Sequence, residues 1–151
     1  DSLEVTSSHG IHLHCDALAS QVDLASYALM FLPGGMPGTL NLGASALVTD
    51  EVCRRSAAGQ PLAAICAAPS ILAEHGALQA RHATANPGFM DAIAAGGALM
   101  SEAAVVRDAN LITSRGMGTA TELGFEIIRL LLGDDAEQVV ARVKQGIVYQ
   151  R

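Results

Sequence analysis

Tryptophan is absent from the sequence, and the ring-bearing core candidates reduce to three phenylalanines and two tyrosines. A core must therefore be built from Ala, Leu, Val and Ile. Positive charge is also scarce: nine Lys and Arg stand against fifteen Asp and Glu, for a net charge of −6. Arg54-Arg55 is an isolated basic pair. That balance argues against nucleic acid and against an anionic membrane surface as partners. No apolar run approaches the roughly 18–20 residues needed to span a bilayer. The opening Asp1-Ser2-Leu3-Glu4-Val5 has no basic region and no signal-peptide core. Only three cysteines occur, Cys15, Cys53 and Cys66, and none is in a CxxC spacing. An odd, unpatterned count speaks against a disulfide framework and for a reducing, cytoplasmic setting. No Walker sequence, GxGxxG run or internal repeat is present, so no nucleotide or other cofactor is expected.

What is present suits one α/β domain. Half of the 151 residues are hydrophobic and 16% are charged, enough for a sizeable core. Residues 4–6 and 11–15 read as two strands around a Ser7-Ser8-His9-Gly10 turn. Residues 27–32 form a compact apolar run stopped by Pro33-Gly34-Gly35, a buried strand. A helix is predicted over 44–58, ended by Gly59. A buried strand over 61–65 runs directly into a short helix over 67–75, with Pro69 in the first turn, where its missing N–H is harmless. Strands are predicted at 103–107 and 111–113, joined by Asp108-Ala109-Asn110. Thr119 and Glu122 have capping-box spacing at the start of a helix, with Leu123, Ile127, Leu130 and Leu131 on one face and Gly133 at its end. A last helix starts at Asp134 or Asp135 and turns Val139, Val140 and Val143 inward. Alternation of this kind predicts a mostly parallel sheet covered on both faces, with ligand sites beyond the C-terminal ends of its strands.

Two strand ends could carry chemistry. In Leu32-Pro33-Gly34-Gly35-Met36-Pro37-Gly38, consecutive glycines let the backbone turn sharply and aim N–H groups at a ligand, although many ordinary strand-to-helix loops look the same. In Ala63-Ala64-Ile65-Cys66-Ala67-Ala68-Pro69, a thiol sits at a strand-to-helix junction with small neighbours. The helix start would set partial positive charge beside the sulfur, which favours a thiolate. A buried, inert cysteine is the competing reading. If the two strands are adjacent, the N–H groups of Gly35 and Ala67 could together hold an oxyanion formed at Cys66.

With Phe31-Leu32-Pro33-Gly34-Gly35, Ala63 to Pro69 and Leu111-Ile112-Thr113-Ser114-Arg115-Gly116-Met117-Gly118-Thr119 in this order and spacing, the chain resembles the ThiJ/PfpI superfamily, the group of the parkinsonism-associated protein deglycase. The resemblance implies a flavodoxin-like three-layer sandwich over 1–151 and a homodimer. Cys66 takes the place of the elbow cysteine. Activities implied include cofactor-independent glyoxalase, deglycation, proteolysis, chaperoning and oxidative-stress sensing. Members usually begin with a strand and a helix carrying a glutamate that hydrogen-bonds the elbow thiol. This chain starts after that segment, and exposed apolar sheet at roughly 25 cal/mol per Å² is hard to tolerate. An N-terminal peptide or separate chain supplying the strand, helix and glutamate is therefore expected; Glu74 lies too far along the elbow helix to replace that glutamate. Asn86 lines the site where several relatives carry His or an aromatic residue. Asn is no acid or base near neutral pH, which counts against a Cys–His protease pair.

Other polar groups have plainer accounts. His12 and His14 would share a strand face near His9 and Cys15, but no second compact ligand set follows, so an exposed edge hairpin is expected rather than a metal site. His75 and His82 are expected at a helix end and a strand start. The 114–119 turn is a potential anion site, with a structural role for Arg115 and its glycines as the simpler reading. Ser70 and Ser114 have no triad-like partners. Three functions are consistent with these features: a cysteine-dependent enzyme acting on small reactive carbonyls, a sensor in which Cys66 is oxidised to sulfinic acid, and a catalytically silent interaction or chaperone-like protein.

Overall fold

In a computed structural model of the chain, residues 2–150 are described. The first element is a hairpin, β1 (Glu4–Thr6) paired antiparallel with β2 (His12–His14), as expected from the turn residues between them. The central sheet has four strands: β3 (Met30–Leu32), β4 (Leu62–Ile65), β7 (Val105–Asp108) and β8 (Leu111–Ser114). Their order is β3-β4-β8-β7. β3, β4 and β8 run parallel, and β7 returns antiparallel through the tight Ala109-Asn110 turn. A small parallel pair, β5 (His82–Ala83) and β6 (Leu99–Met100), forms a separate sheet, with the His82 N–H at the start of β5 donating to the Asp108 carboxylate of β7.

The helices are α1 (Gly38–Gly43), α2 (Ala46–Ala58), α3 (Pro69–Glu74), α4 (Met90–Ala95), α5 (Ala120–Leu132) and α6 (Ala136–Gly146). They cover both faces of the sheet. Leu32, Leu62, Ala64 and Leu111 face a cluster holding Val52 of α2, Ile71 and Leu72 of α3 and Ile93 of α4. Ala63, Ile65 and Ile112 face the opposite way, onto Leu123, Ile127 and Leu130 of α5. Every residue of β4 and β8 is buried; β4 accordingly reads as a continuous apolar run, whereas β8 buries Thr113 and Ser114 along with Leu111 and Ile112. Leu62, Ile71, Leu72 and Ile112 are fully buried, each contributing about 1.5–3 kcal/mol of hydrophobic stabilisation.

Several element boundaries differ from the sequence expectation, each for a packing reason. The strand predicted over 27–32 narrows to β3, the edge strand of the sheet; Phe31 and Tyr27 are exposed. The helix predicted over 44–58 begins at Ala46, behind a separate turn of helix, α1. The capping box at Thr119 does not form: the Thr119 hydroxyl bonds Gly116 and Ser114, and the Glu122 carboxylate accepts from the Tyr149 hydroxyl. Leu131 is exposed rather than inward. Between 77 and 102 only a strand start at His82 was expected; β5 begins there, and α4 and β6 were not predicted. Among the described residues no helix is long and apolar enough to cross a membrane.

Candidate functional site

The site is built from four chain segments that converge at the C-terminal ends of β3, β4 and β8. Parallel pairing sets Leu32 opposite Ala64 and Ile65 opposite Ser114. One step beyond β4 the chain reverses at Cys66, which has a left-handed φ of 65°. A non-glycine residue there costs about 1–2 kcal/mol, so its surroundings must hold it. They do so through both of its peptide groups: the Cys66 N–H donates to the Ser114 carbonyl (2.9 Å), and its carbonyl accepts from the Asn86 N–H (2.9 Å). Ala67 and Ala68 then turn, buried, into α3, with Pro69 in the first turn.

Gly34 comes against this elbow so closely that no side chain fits. A Cβ on Gly34 would lie 2.5 Å from the Cys66 Cβ and 2.6 Å from the Ile65 carbonyl oxygen. Gly35 follows with φ of 93°, its carbonyl accepting from the Thr39 N–H and hydroxyl. Among the described residues neither the Gly35 nor the Ala67 N–H donates to a protein acceptor. The adjacency that the two-strand hypothesis requires is therefore met. α3 has only six residues, so no long aligned dipole stands behind Cys66.

Asn86 is fixed on the other side of Cys66. Its Oδ1 accepts from the Gly88 N–H (3.2 Å), which turns its Nδ2 toward Gly116, 3.8 Å from where a Gly116 Cβ would stand. Gly34, Gly35, Cys66, Ala67 and Asn86 thus gather in one place. Cys66 is half-buried, Cys53 is exposed on α2, Cys15 is partly buried after the hairpin, and all three are free thiols. Beside Gly34 opens a cleft of about 980 Å³ between the hairpin and the α1–α2 segment, lined by Val5, Cys15, Leu18, Pro33 and Leu47 among others.

The remaining candidates lie elsewhere. His14 pairs with Glu4 across the hairpin, and His12 Nδ1 is 3.0 Å from the Thr6 hydroxyl. Among the described residues no group of three or more His, Cys, Asp or Glu is arranged to hold a metal ion. His75 closes α3 and His82 opens β5. Arg115 donates to the Glu102 carbonyl (2.9 Å), a structural contact. Two features escaped the sequence reading. One is the Ser114–Thr119 hydroxyl pair. The other is the buried Glu51–Arg55 pair, whose only signal was a Glu and an Arg four apart on α2.

Known proteins resemble this chain in sequence and in fold. Protein dj-1beta of Drosophila melanogaster is 36% identical over 138 residues, covering 91% of this chain and 74% of that protein. Its crystal structure superposes with a TM-score of 0.88 over 98% of this chain and 78% of the fly chain. Protein DJ-1 homolog A of Arabidopsis thaliana is 34% identical over 140 residues; the match takes in 92% of this chain but only 36% of that longer protein. Deglycase PYRAB04690 of Pyrococcus abyssi is 31% identical over 129 residues, 84% of this chain and 76% of that protein. The family model described as the DJ-1/PfpI family matches residues 1–130. Elbow, glycine loop, sheet order and these likenesses agree, and the chain belongs to the DJ-1/PfpI family.

Proposed function

We propose that the protein is a cysteine-dependent, cofactor-independent enzyme acting on small reactive carbonyls, of the glyoxalase or deglycase type, with Cys66 as nucleophile. The observation that carries this reading is the left-handed Cys66, strained and pinned at a strand end beside two unbonded amides. Strain of this kind persists where surrounding structure over-determines it, often at active sites. The name deglycase on an archaeal relative points the same way.

For an α-oxo aldehyde such as methylglyoxal the steps balance without an outside oxidant. The Cys66 sulfur bonds to the aldehyde carbon, and the carbonyl electron pair moves to oxygen, held by the N–H groups of Gly35 and Ala67. A proton then shifts from the aldehyde carbon to the neighbouring carbon. The first carbon is oxidised to a thioester as the second is reduced to an alcohol, and water releases a hydroxy acid and the thiol. Asn86 lines the site as a neutral hydrogen-bond donor. Having no titrating group near neutral pH, it gives no support to a protease-type Cys–His pair.

The proton shift needs a carboxylate. In this reading a strand and helix from a peptide outside these 151 residues pair with the edge of β3 and enter the cleft between the hairpin and the α1–α2 segment, bringing a glutamate to Cys66 and giving the flavodoxin-like sandwich. The edge position of β3 and the cleft beside Gly34 support it. The same reading takes the working form as a homodimer in the reducing cytoplasm, in keeping with three unpaired cysteines. The test is methylglyoxal consumption by wild type and Cys66→Ala. Loss of at least a hundredfold is expected, the scale on which a nucleophile acts; equal rates overturn the proposal.

A second reading uses the same donors. Partial exposure of Cys66 beside free amides also suits a sulfinate, hence an oxidative-stress sensor. Peptide mass spectrometry after mild peroxide is expected to find Cys66 oxidised ahead of Cys15 and Cys53; the reverse order would exclude it.

A further inference from the structure

The Thr119 hydroxyl is fully used, and none of that use concerns the helix it precedes. It donates to the Gly116 carbonyl (2.9 Å), accepts from the Gly116 N–H (3.1 Å) and stands 2.6 Å from the Ser114 hydroxyl. One proton and two lone pairs permit three such bonds, so its capacity is filled. It makes no side-chain bond to the free amides of α5; its bond from the Gly116 N–H instead closes the 3-10 turn Met117–Thr119, so capping of the long helix does not account for it. Ser114 is fully buried, its hydroxyl also within 3.2 Å of the Ala104 carbonyl.

These contacts close a ring around the thiol-bearing residue. The Ser114 carbonyl accepts the Cys66 N–H, and the Asn86 N–H donates to the Cys66 carbonyl. The Asn86 amide stands against Gly116, and Gly116 is tied back through Thr119 to Ser114. Between the two ties to Ser114 and Gly116 the Arg115–Gly118 loop projects outward, with Met117 92% exposed. One hydroxyl thus links Ser114, whose carbonyl accepts from Cys66, to Gly116, which neighbours the Asn86 amide.

We propose that Thr119 is a positioning residue for the Cys66 site: acting through Ser114 and Gly116, its hydroxyl holds the 115–118 loop as one wall of the space above the thiol. This deepens the carbonyl-enzyme reading and rests on it for the kinetic part of its test. Thr119→Val keeps the shape and deletes the hydroxyl, whereas Thr119→Ser keeps the hydroxyl. Two readouts apply. One is the rate of Cys66 labelling, resolved by peptide mass, with iodoacetamide and with the bulkier N-phenylmaleimide. The other is kcat and KM for methylglyoxal.

With the wall released, Thr119→Val is expected to raise the bulky-to-small labelling ratio several-fold. It should also lower kcat by roughly tenfold to a hundredfold, as misplacement near a reacting group does, with little change in KM. Thr119→Ser should behave as wild type in both. A Thr119→Val protein that melts earlier but keeps the wild-type ratio and kcat overturns the proposal, as does a Thr119→Ser protein as impaired as Thr119→Val. If Thr119→Val does not fold, Ser114→Ala breaks the same ring from the buried side, and an unchanged labelling ratio there is equally fatal. The labelling ratio needs no turnover, so failure of the carbonyl-enzyme reading, seen as equal rates for wild type and Cys66→Ala, stays distinguishable from failure of this one.

Discussion

Cys66 and Gly34 form one unit at the residue scale. The cysteine can keep φ at 65° because both its peptide groups are bonded, to Ser114 and to Asn86. It can keep its place under the glycine loop because Gly34 has no Cβ to meet its own Cβ or the Ile65 carbonyl. Gly34→Ala drives a methyl group into the Cys66 Cβ and the Ile65 carbonyl oxygen. Overpacking of that sort costs about 1–3 kcal/mol. We expect urea denaturation to show a loss in this range, with Cys66 alkylation losing its preference over Cys53. An unchanged denaturation midpoint would mean the loop shifts freely and the close contact is incidental. The doublet Gly34-Gly35 was visible in the sequence, but only the parallel register of β3 with β4 assigns close approach to the first glycine and left-handed backbone to the second.

Helix endings show one device used four times at the element scale. α2, α3 and α4 each end in a paired 6→1 and 5→2 hydrogen-bond motif with glycine in the left-handed position: Gly59, Gly76 and Gly97. α6 ends with the same two bonds, Tyr149 N–H to the Lys144 carbonyl and Val148 N–H to the Gln145 carbonyl, but the left-handed residue is Val148 at φ 55°. A β-branched residue there is an outlier. Val148 is 71% exposed, so its side chain gives little packing in return. Val148→Gly should therefore raise stability by about 1 kcal/mol and Tm by about 2–4 °C in a chain of this size, read by calorimetry. A lower Tm would show that Val148 makes contacts outside this chain. Gly59 and Gly76 could be read as stops from the sequence because glycine announces the conformation; nothing in a valine does so.

The whole molecule is tied together by a buried ion pair rather than by its sheet alone. Arg55, 1% exposed, bonds Glu51 (2.6 Å), the carbonyls of Leu24 and Tyr27 (2.7 Å each) and that of Pro61 (3.3 Å). It thereby fastens the segment entering β3 to α2 and to the start of β4. The Arg54 hydrogen bond is the largest cause holding the Glu51 carboxyl down to about 2 from an ordinary 4.5; burial opposes it and Arg55 adds to it. A depressed acid stabilises the fold fully above its ordinary value, and that share is lost as pH falls from 4.5 through about 2. Urea denaturation across this window should show falling stability. Glu51→Gln should flatten the fall and cost about 3–5 kcal/mol at pH 7, where it leaves Arg55 buried without its partner charge. An identical pH profile in both proteins would contradict the assignment.

Composition and order along the chain determined the α/β class, the buried strand β4, the presence of β8, the edge hairpin and the elbow cysteine, because each rests on local signals: apolar runs, glycine stops and a thiol at a strand-to-helix junction. Tertiary structure alone decided that β3 lies beside β4, that Gly34 touches Cys66, and that Asn86 and Ser114 grip its peptide groups. Those facts depend on contacts between residues tens of positions apart, formed only when the sheet orders its strands, and no local pattern carries that order.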